Sequence, residues 1–196
     1  NYPFLKYNFL IKNISNFAPA YIASVGFHEL YINGKKVSKA VLSPSVSDLR
    51  NRVLYSSYDI APYLNKGKNN IVIWLASGWA NFNDGNPKAS FSVDKSPLCK
   101  SQFKINNDWF ATDKSWKFTS SNTSHYGGWQ NSNFGGDFID NSGRDIMWTQ
   151  DSKNEKFWTN VNEVKFNKKL SSDFIEPNSK VKKRSAIEVK KLAERK

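Results

Sequence analysis

Short apolar and aromatic runs, separated by Asn, Gly, Pro and Ser, dominate the first 120 positions of this chain. Runs of roughly 4–8 such residues between turn-forming residues are typical of β-strands. They predict strands at positions 4–12, 21–32, 35–42, 52–58, 70–76, 101–105, 108–112, 115–120 and 158–166. About nine short strands without a convincing internal helix predict an all-β fold, an antiparallel β-sandwich.

Four local patterns refine this prediction. Asn106–Asn107 lies between the runs 101–105 and 108–112 and predicts a hairpin there. Asn33–Gly34 lies between two strand-like runs and predicts a tight hairpin turn, since a type I′ turn needs positive φ at both positions. The run 70–76, NIVIWLA, is nearly all apolar and predicts a strand buried on both faces. Positions 121–148 are rich in Asn, Ser, Gly, Trp and Asp without a period, which predicts a long loop of functional interest.

Charge and length indicate one domain with a basic tail. The chain has 196 residues and a net charge of +12, of which positions 180–196 carry eight Lys/Arg against two Glu. We therefore expect a sandwich domain at 1–177 and a basic linker or tail at 178–196. Ala186, Val189 and Leu192–Ala193 recur at helical spacing and predict a short C-terminal helix. Because the remaining basic residues are scattered among acids, we expect no nucleic-acid binding.

Several classes of protein are excluded or disfavoured. No apolar stretch reaches the roughly 18 residues of a membrane span, and a single Cys99 cannot form an internal disulfide. His28 and His125 with one cysteine are too few for an ordinary zinc site, and no triad surrounds either histidine. His28 is expected to pack within a strand, whereas His125 lies in the long loop. The chain begins at Asn1 without a leader pattern, which suggests a mature chain or an excised fragment and leaves the compartment unmarked.

The residues best suited to a ligand are carboxylates and tryptophans in loops. Asp137 and Asp140 offer oxygen atoms to sugar hydroxyls or to Ca²⁺, although their spacing is not that of an EF-hand. Each of Trp79, Trp129 and Trp148 is either a core residue or a platform for the apolar face of a pyranose ring. Catalysis by a carboxylate pair is disfavoured, because loop aspartates lack the rigid support that a catalytic acid needs. These residues predict carbohydrate binding, with Ca²⁺ as an optional rather than a required cofactor.

A family resemblance lies mainly in positions 20–79. The segment contains ELYINGKKV (29–37), L-x-P (42–44), RVLYSSYD (52–59), L-x-x-G-x-N-x-I (64–71) and a terminal Gly78–Trp79. It resembles the N-terminal domain of bacterial α-L-rhamnosidases. The likeness continues more loosely through DKSW (113–116) to about position 177. At 136–142, GDFIDNS stands where that family has G-E-x-Y-D-A-R.

The resemblance implies a jelly-roll sandwich that precedes a separate catalytic domain hydrolysing terminal α-L-rhamnosides. Related sandwich domains bind L-rhamnose, in some cases through Ca²⁺, while others only support the catalytic domain. We therefore expect a non-catalytic module that binds rhamnose-containing glycans through Trp129, Asp137 and Asp140, with Trp148 or Trp79 as a stacking platform. The alternative is a structural module that docks the catalytic domain without binding sugar. The resemblance also favours a periplasmic or secreted bacterial protein.

Overall fold

The computed structural model describes residues 2–81, 97–126, 136–140, 157–185 and 187–188, with the backbone alone at Trp79, Asn81 and His125. These residues form thirteen strands and two short 3-10 turns. The strands are β1 Pro3–Ile11, β2 Pro19–Val25, β3 Phe27–Ile32, β4 Lys35–Lys36, β5 Arg52–Asp59, β6 Gly67–Ala76, β7 Leu98–Ile105, β8 Asp108–Ala111, β9 Lys117–Ser120, β10 Thr123–Tyr126, β11 Gly136–Ile139, β12 Thr159–Asn160 and β13 Lys169–Ser172. The all-β prediction is confirmed.

Two sheets face each other as a sandwich. A six-stranded sheet has the order β12-β9-β1-β6-β3-β4, and a five-stranded sheet has the order β13-β5-β2-β7-β8. All pairs are antiparallel except β13 with β5, which is parallel. A separate two-stranded sheet pairs β10 with β11.

The main core lies between the two sheets. The inward positions of β1, β3 and β6 meet those of β2 and β7, and the alternation of side chains along each strand supplies the apolar face. The core residues buried between the sheets include Phe9, Leu30, Ile32, Ile71, Ile73, Ile22, Phe103 and Ile105. Trp116 lies at the edge, 1% exposed, and its Nε1–H donates to the Ala111 carbonyl at 3.0 Å. Strand β6 is buried on both faces as predicted, because Val72 packs on its outer side with Phe4 and Trp158.

Two predicted turns are confirmed. Asn33 and Gly34 have φ of 50° and 77° and connect β3 to β4. Asn106 has φ of 54° and turns β7 into β8. Both turns need the left-handed backbone that Asn and Gly tolerate.

Other sequence expectations need correction. The run 21–32 is two strands in different sheets, since Gly26 at φ 102° breaks it. The runs 35–42 and 158–166 are strands only at Lys35–Lys36 and Thr159–Asn160. The segment 121–148 is not wholly irregular, because it contains β10 and β11. The expected C-terminal helix falls on positions 186–193, of which most lie outside the described residues.

Candidate functional site

The predicted carboxylates lie on and beside an exposed strand pair. Asp137 is in β11, opposite His125 of β10, and is exposed. Asp140 follows β11, and its backbone N–H donates to the Asn122 carbonyl at 2.9 Å, which continues the pairing by one residue. Side chains alternate along a strand, so two residues three apart leave it in opposite directions. The structure therefore brings Asp137 and Asp140 to the same strand pair but directs them to its two faces.

Tyr2 fastens this strand pair to the sandwich. Its hydroxyl donates to Asp137 Oδ1 at 3.1 Å, and its backbone N–H donates to the Thr123 carbonyl at 2.9 Å. Burial of Tyr2, together with the neighbouring Asp137 carboxylate, raises the pKa of Tyr2 to about 12. Asp137 consequently has a structural partner, while its exposed side remains accessible to a ligand.

The predicted aromatic platforms are mostly beyond the described part of the chain. Trp129 and Trp148 lie outside the described residues. Trp79 lies in the 3-10 turn Gly78–Asn81, where the structure describes its backbone alone. Within the described residues, no group of three or more His, Cys, Asp or Glu could hold a metal ion. No helix in that part of the chain has the length and apolar character needed to cross a membrane.

His28 has a structural role in the buried end of the sandwich. It is 3% exposed, and its Nδ1 and Nε2 lie 2.8 Å from Ser24 Oγ and 2.9 Å from the Tyr58 hydroxyl. Ser24 Oγ donates to the Gly26 carbonyl at 2.9 Å, so it accepts from His28 Nδ1–H, and Nε2 accepts from Tyr58. Burial lowers the pKa of His28 to about 3, against an opposing effect of the Asp173 carboxylate. A neutral, enclosed imidazole with both nitrogens engaged is a packed group, as expected, and not a general base for a substrate in solvent.

One surface was missed by the sequence reasoning. A cavity of about 340 Å³ opens on the outer face of the five-stranded sheet, lined by Tyr21, Ala23, Tyr55, Lys100, Ser101, Gln102 and Leu170. We call it the outer groove. Period-two alternation in β2 and β7 could have shown that Tyr21, Lys100 and Gln102 face outward. Their meeting with Tyr55 and Leu170 depends on the strand order, which no local pattern gives.

Comparisons with known proteins agree on one family. The family model of the α-L-rhamnosidase N-terminal domain matches residues 13–183. An α-L-rhamnosidase of Formosa agariphila is 28% identical over 158 residues, covering 76% of this chain and 16% of that protein. One of Streptomyces avermitilis is 34% identical over 74 residues, covering 38% of this chain and 7% of that protein.

A solved structure agrees in fold over most of the chain. The α-L-rhamnosidase from Dictyoglumus thermophilum superposes with a TM-score of 0.74 and 27% identity, covering 90% of this chain and 19% of that one. The chain thus spans less than a fifth of the length of these relatives. Since the family model covers most of the sandwich, from the segment before β2 to the segment after β13, this chain belongs to the α-L-rhamnosidase N-terminal domain family.

Proposed function

We propose that this domain is a non-catalytic, carbohydrate-associated module of a larger α-L-rhamnosidase and that it binds rhamnose-containing glycans. The observation that carries the proposal is the family match over 13–183, in a chain that covers only 16% of the Formosa agariphila α-L-rhamnosidase and 19% of the Dictyoglumus thermophilum one. The larger part of such a protein then holds the catalytic groups that hydrolyse terminal α-L-rhamnosides. The sandwich has the jelly-roll type of fold and contributes binding or support.

The proposed sugar site is the β10–β11 pair together with the candidate tryptophans. Asp137 and Asp140 supply carboxylate oxygens for hydroxyl groups or for an optional Ca²⁺, and Trp129 with Trp148 or Trp79 supplies a stacking surface. The exposure of Asp137 and of Phe138, which is 55% exposed, supports an accessible surface at β11. Asp137 and Asp140 point to opposite faces of the strand pair. This arrangement favours two separate contacts with a glycan over the binding of one Ca²⁺ ion by both carboxylates.

The test is calorimetric titration of the chain with L-rhamnose, first in Ca²⁺ and then in chelator. We expect saturable heat that disappears in Trp129→Ala and in Asp140→Ala. Asp108→Ala is the matched control, because Asp108 is an exposed aspartate at the start of β8, in the five-stranded sheet, which contains neither β10 nor β11. Absence of heat in both buffers would overturn the sugar-binding part of the proposal and leave the family membership intact.

A second candidate function is docking of the catalytic domain without sugar binding. It is favoured by four exposed apolar side chains on two neighbouring segments: Leu42 57%, Val46 53%, Phe174 91% and Ile175 63%. The Ser45 N–H donates to Asp173 Oδ2 at 2.8 Å and the Val41 N–H donates to the Asn178 carbonyl at 2.8 Å, which holds these segments together. An exposed apolar patch of this kind marks an interaction surface.

Phe174→Ser tests the docking function. If the patch docks the catalytic domain, this variant weakens association with a separately produced catalytic domain while its own melting temperature is unchanged. Unaltered association would remove this patch from the interface.

A further inference from the structure

The outer groove begins where a small second core ends. On the outer face of the five-stranded sheet, Val25 and Val53 are covered by Leu49 and Ala80, and Phe166 packs against this cluster. Ala23, 5% exposed, is the last residue of the covered region and also lines the groove. From Ala23 onward the face is open, and Tyr21 and Leu170 are 38% and 43% exposed. Among the described residues, one part of this sheet face is therefore covered by the small core and the neighbouring part is the concave outer groove.

Strand register places the groove residues in two adjacent rows. Tyr55, Ala23 and Lys100 lie side by side across β5, β2 and β7, and Ser57, Tyr21 and Gln102 form the next row. The small Ala23 separates Tyr55 from Lys100 and forms the floor. The Tyr21 and Tyr55 rings meet edge to face, with centroids 6.0 Å apart and planes at 83°. This contact holds one ring against the other and presents a partly exposed aromatic surface over the floor.

The groove is positively charged. Lys100 is exposed and has no ion-pair partner among the residues that the structure describes. One row further along, the Lys104 ammonium lies 5.7 Å from the ring centroid of Trp109, which is 52% exposed. Two carboxylates border β5 and both are engaged by backbone groups. Asp59 accepts from the N–H groups of Ala18 and Ala61 at 3.0 Å each. Asp173, whose own N–H donates to the Tyr55 carbonyl, accepts from the N–H groups of Ser45 and Ile175 at 2.8 and 3.2 Å. The described lining thus combines aromatic faces, an amide and an unpaired cation, and it contains no acid.

We propose that the outer groove is a second glycan-binding site and that it takes an anionic oligosaccharide, one bearing carboxylate or sulfate groups. A tyrosine ring stacks on the apolar face of a sugar, the Gln102 amide bonds hydroxyl groups, and Lys100 pairs with the anion. A volume of about 340 Å³ lies at the lower end of small-ligand pockets, about 300–1,000 Å³. This inference takes only the class of ligand, a glycan, from the proposed function. The location is independent, because Tyr21 and Lys100 lie in the five-stranded sheet, whereas the first proposed site is the β10–β11 pair, which Tyr2 contacts.

The experiment is titration of the full chain with a short oligogalacturonate and, in parallel, with its fully methyl-esterified form, which is neutral. We expect saturable binding of the acidic form and at least about tenfold weaker binding of the neutral one. Tyr21→Ala should weaken binding of the acidic form by about tenfold or more, and Lys100→Gln by about fivefold. Both positions are exposed, so the variants are expected to fold, and thermal melting verifies this.

The control separates the groove from the general positive charge of the chain. Lys66→Gln makes the same change of charge in the exposed turn before β6, in the other sheet, and should leave affinity within about twofold. Equal loss in Lys66→Gln and Lys100→Gln, unchanged affinity in Tyr21→Ala, or no binding of the acidic form would each overturn the proposal. The probe contains no rhamnose and needs no Ca²⁺, so failure of the L-rhamnose titration is a separate outcome.

Discussion

At the scale of single residues, the family motif is explained by turn chemistry. Asn69 is 1% exposed, and its side chain donates to the carbonyls of Asn65 and Gly67 at 2.7 and 3.0 Å. Its Oδ1 accepts from the Asn65 N–H at 2.8 Å and from Asn33 Nδ2 at 2.9 Å. One amide therefore satisfies the turn before β6 and ties it to the β3–β4 hairpin. The N-G and G-x-N parts of the motif are folding determinants rather than ligand contacts.

His28 should make folding stability depend on pH. Its pKa is about 3 in the folded chain and about 6.5 when unfolded. Because the pKa of His28 is lower in the folded chain, the contribution of neutral His28 to folding stability is complete above pH 6.5 and is lost as the pH falls toward 3. We expect the His28 contribution to the free energy of unfolding to fall by about 1.4 kcal/mol per pH unit in this window. Urea unfolding at a series of pH values measures it.

The comparison variant is His28→Gln, which keeps a polar side chain but does not titrate. Its unfolding free energy is lower at pH 7, since the bonds to Ser24 and Tyr58 are altered. Between pH 6.5 and 4.5 the unfolding free energy of His28→Gln should fall less steeply with decreasing pH than that of the native chain. The difference in slope corresponds to one bound proton. Identical slopes would show that His28 is not held neutral by the fold.

At the scale of elements, a single glycine divides one apolar run between two sheets. Gly26 has φ of 102°, and a Cβ built there would lie 2.2 Å from the Ala76 carbonyl oxygen and 2.8 Å from that of Ser77. Strand β2 before it pairs in the five-stranded sheet, and β3 after it pairs in the six-stranded sheet. The left-handed backbone and the close approach both require glycine. Gly26 thereby connects the two layers of the sandwich.

Gly26→Ala should strongly destabilise the domain. The backbone strain and the contact with Ala76 together are expected to cost about 3 kcal/mol or more. Chemical denaturation measures the difference in unfolding free energy between the variant and the native chain. Gly67→Ala is the matched control, because Gly67 has φ of 93° with nothing within 4 Å of the added Cβ, so only strain of about 1–2 kcal/mol applies. Equal costs at both glycines would contradict a role for the close approach.

At the scale of the whole molecule, β13 forms one edge of the five-stranded sheet and precedes the basic tail. Strand β13 pairs with β5 in parallel, and Asp173 after it accepts from the Ser45 N–H. Ser179 forms an isolated bridge with Ala40. The following residues up to 185 are exposed and have no regular structure. Among the described residues, the basic stretch 180–185 thus follows the last backbone bridge to the sandwich, Ser179 with Ala40.

Two truncations should separate tail from domain. A chain ending at Ser179 loses half of the net charge of +12, and its melting temperature should stay within about 2 °C, since exposed residues contribute little. A chain ending at Lys168 also lacks β13, and should melt about 5–15 °C lower, at roughly 2–4 °C per kcal/mol. Calorimetry compares the three chains. Equal loss of stability in both truncations would place the tail within the fold.

The sequence alone determined the all-β class, both Asn-containing turns and the family, because these are encoded by local periodicity, by turn chemistry and by an ordered motif. Local patterns missed β13 and the break at Gly26. A short strand is defined by the strand it pairs with, and the need for a single glycine is set by the chain packed against it. Asp137 and Asp140 were adjacent candidates in sequence, but strand alternation directs them apart. Tertiary structure alone decided the outer groove. Tyr21, Tyr55 and Lys100 come from three strands, and only register across the sheet makes neighbours of residues so distant in the chain.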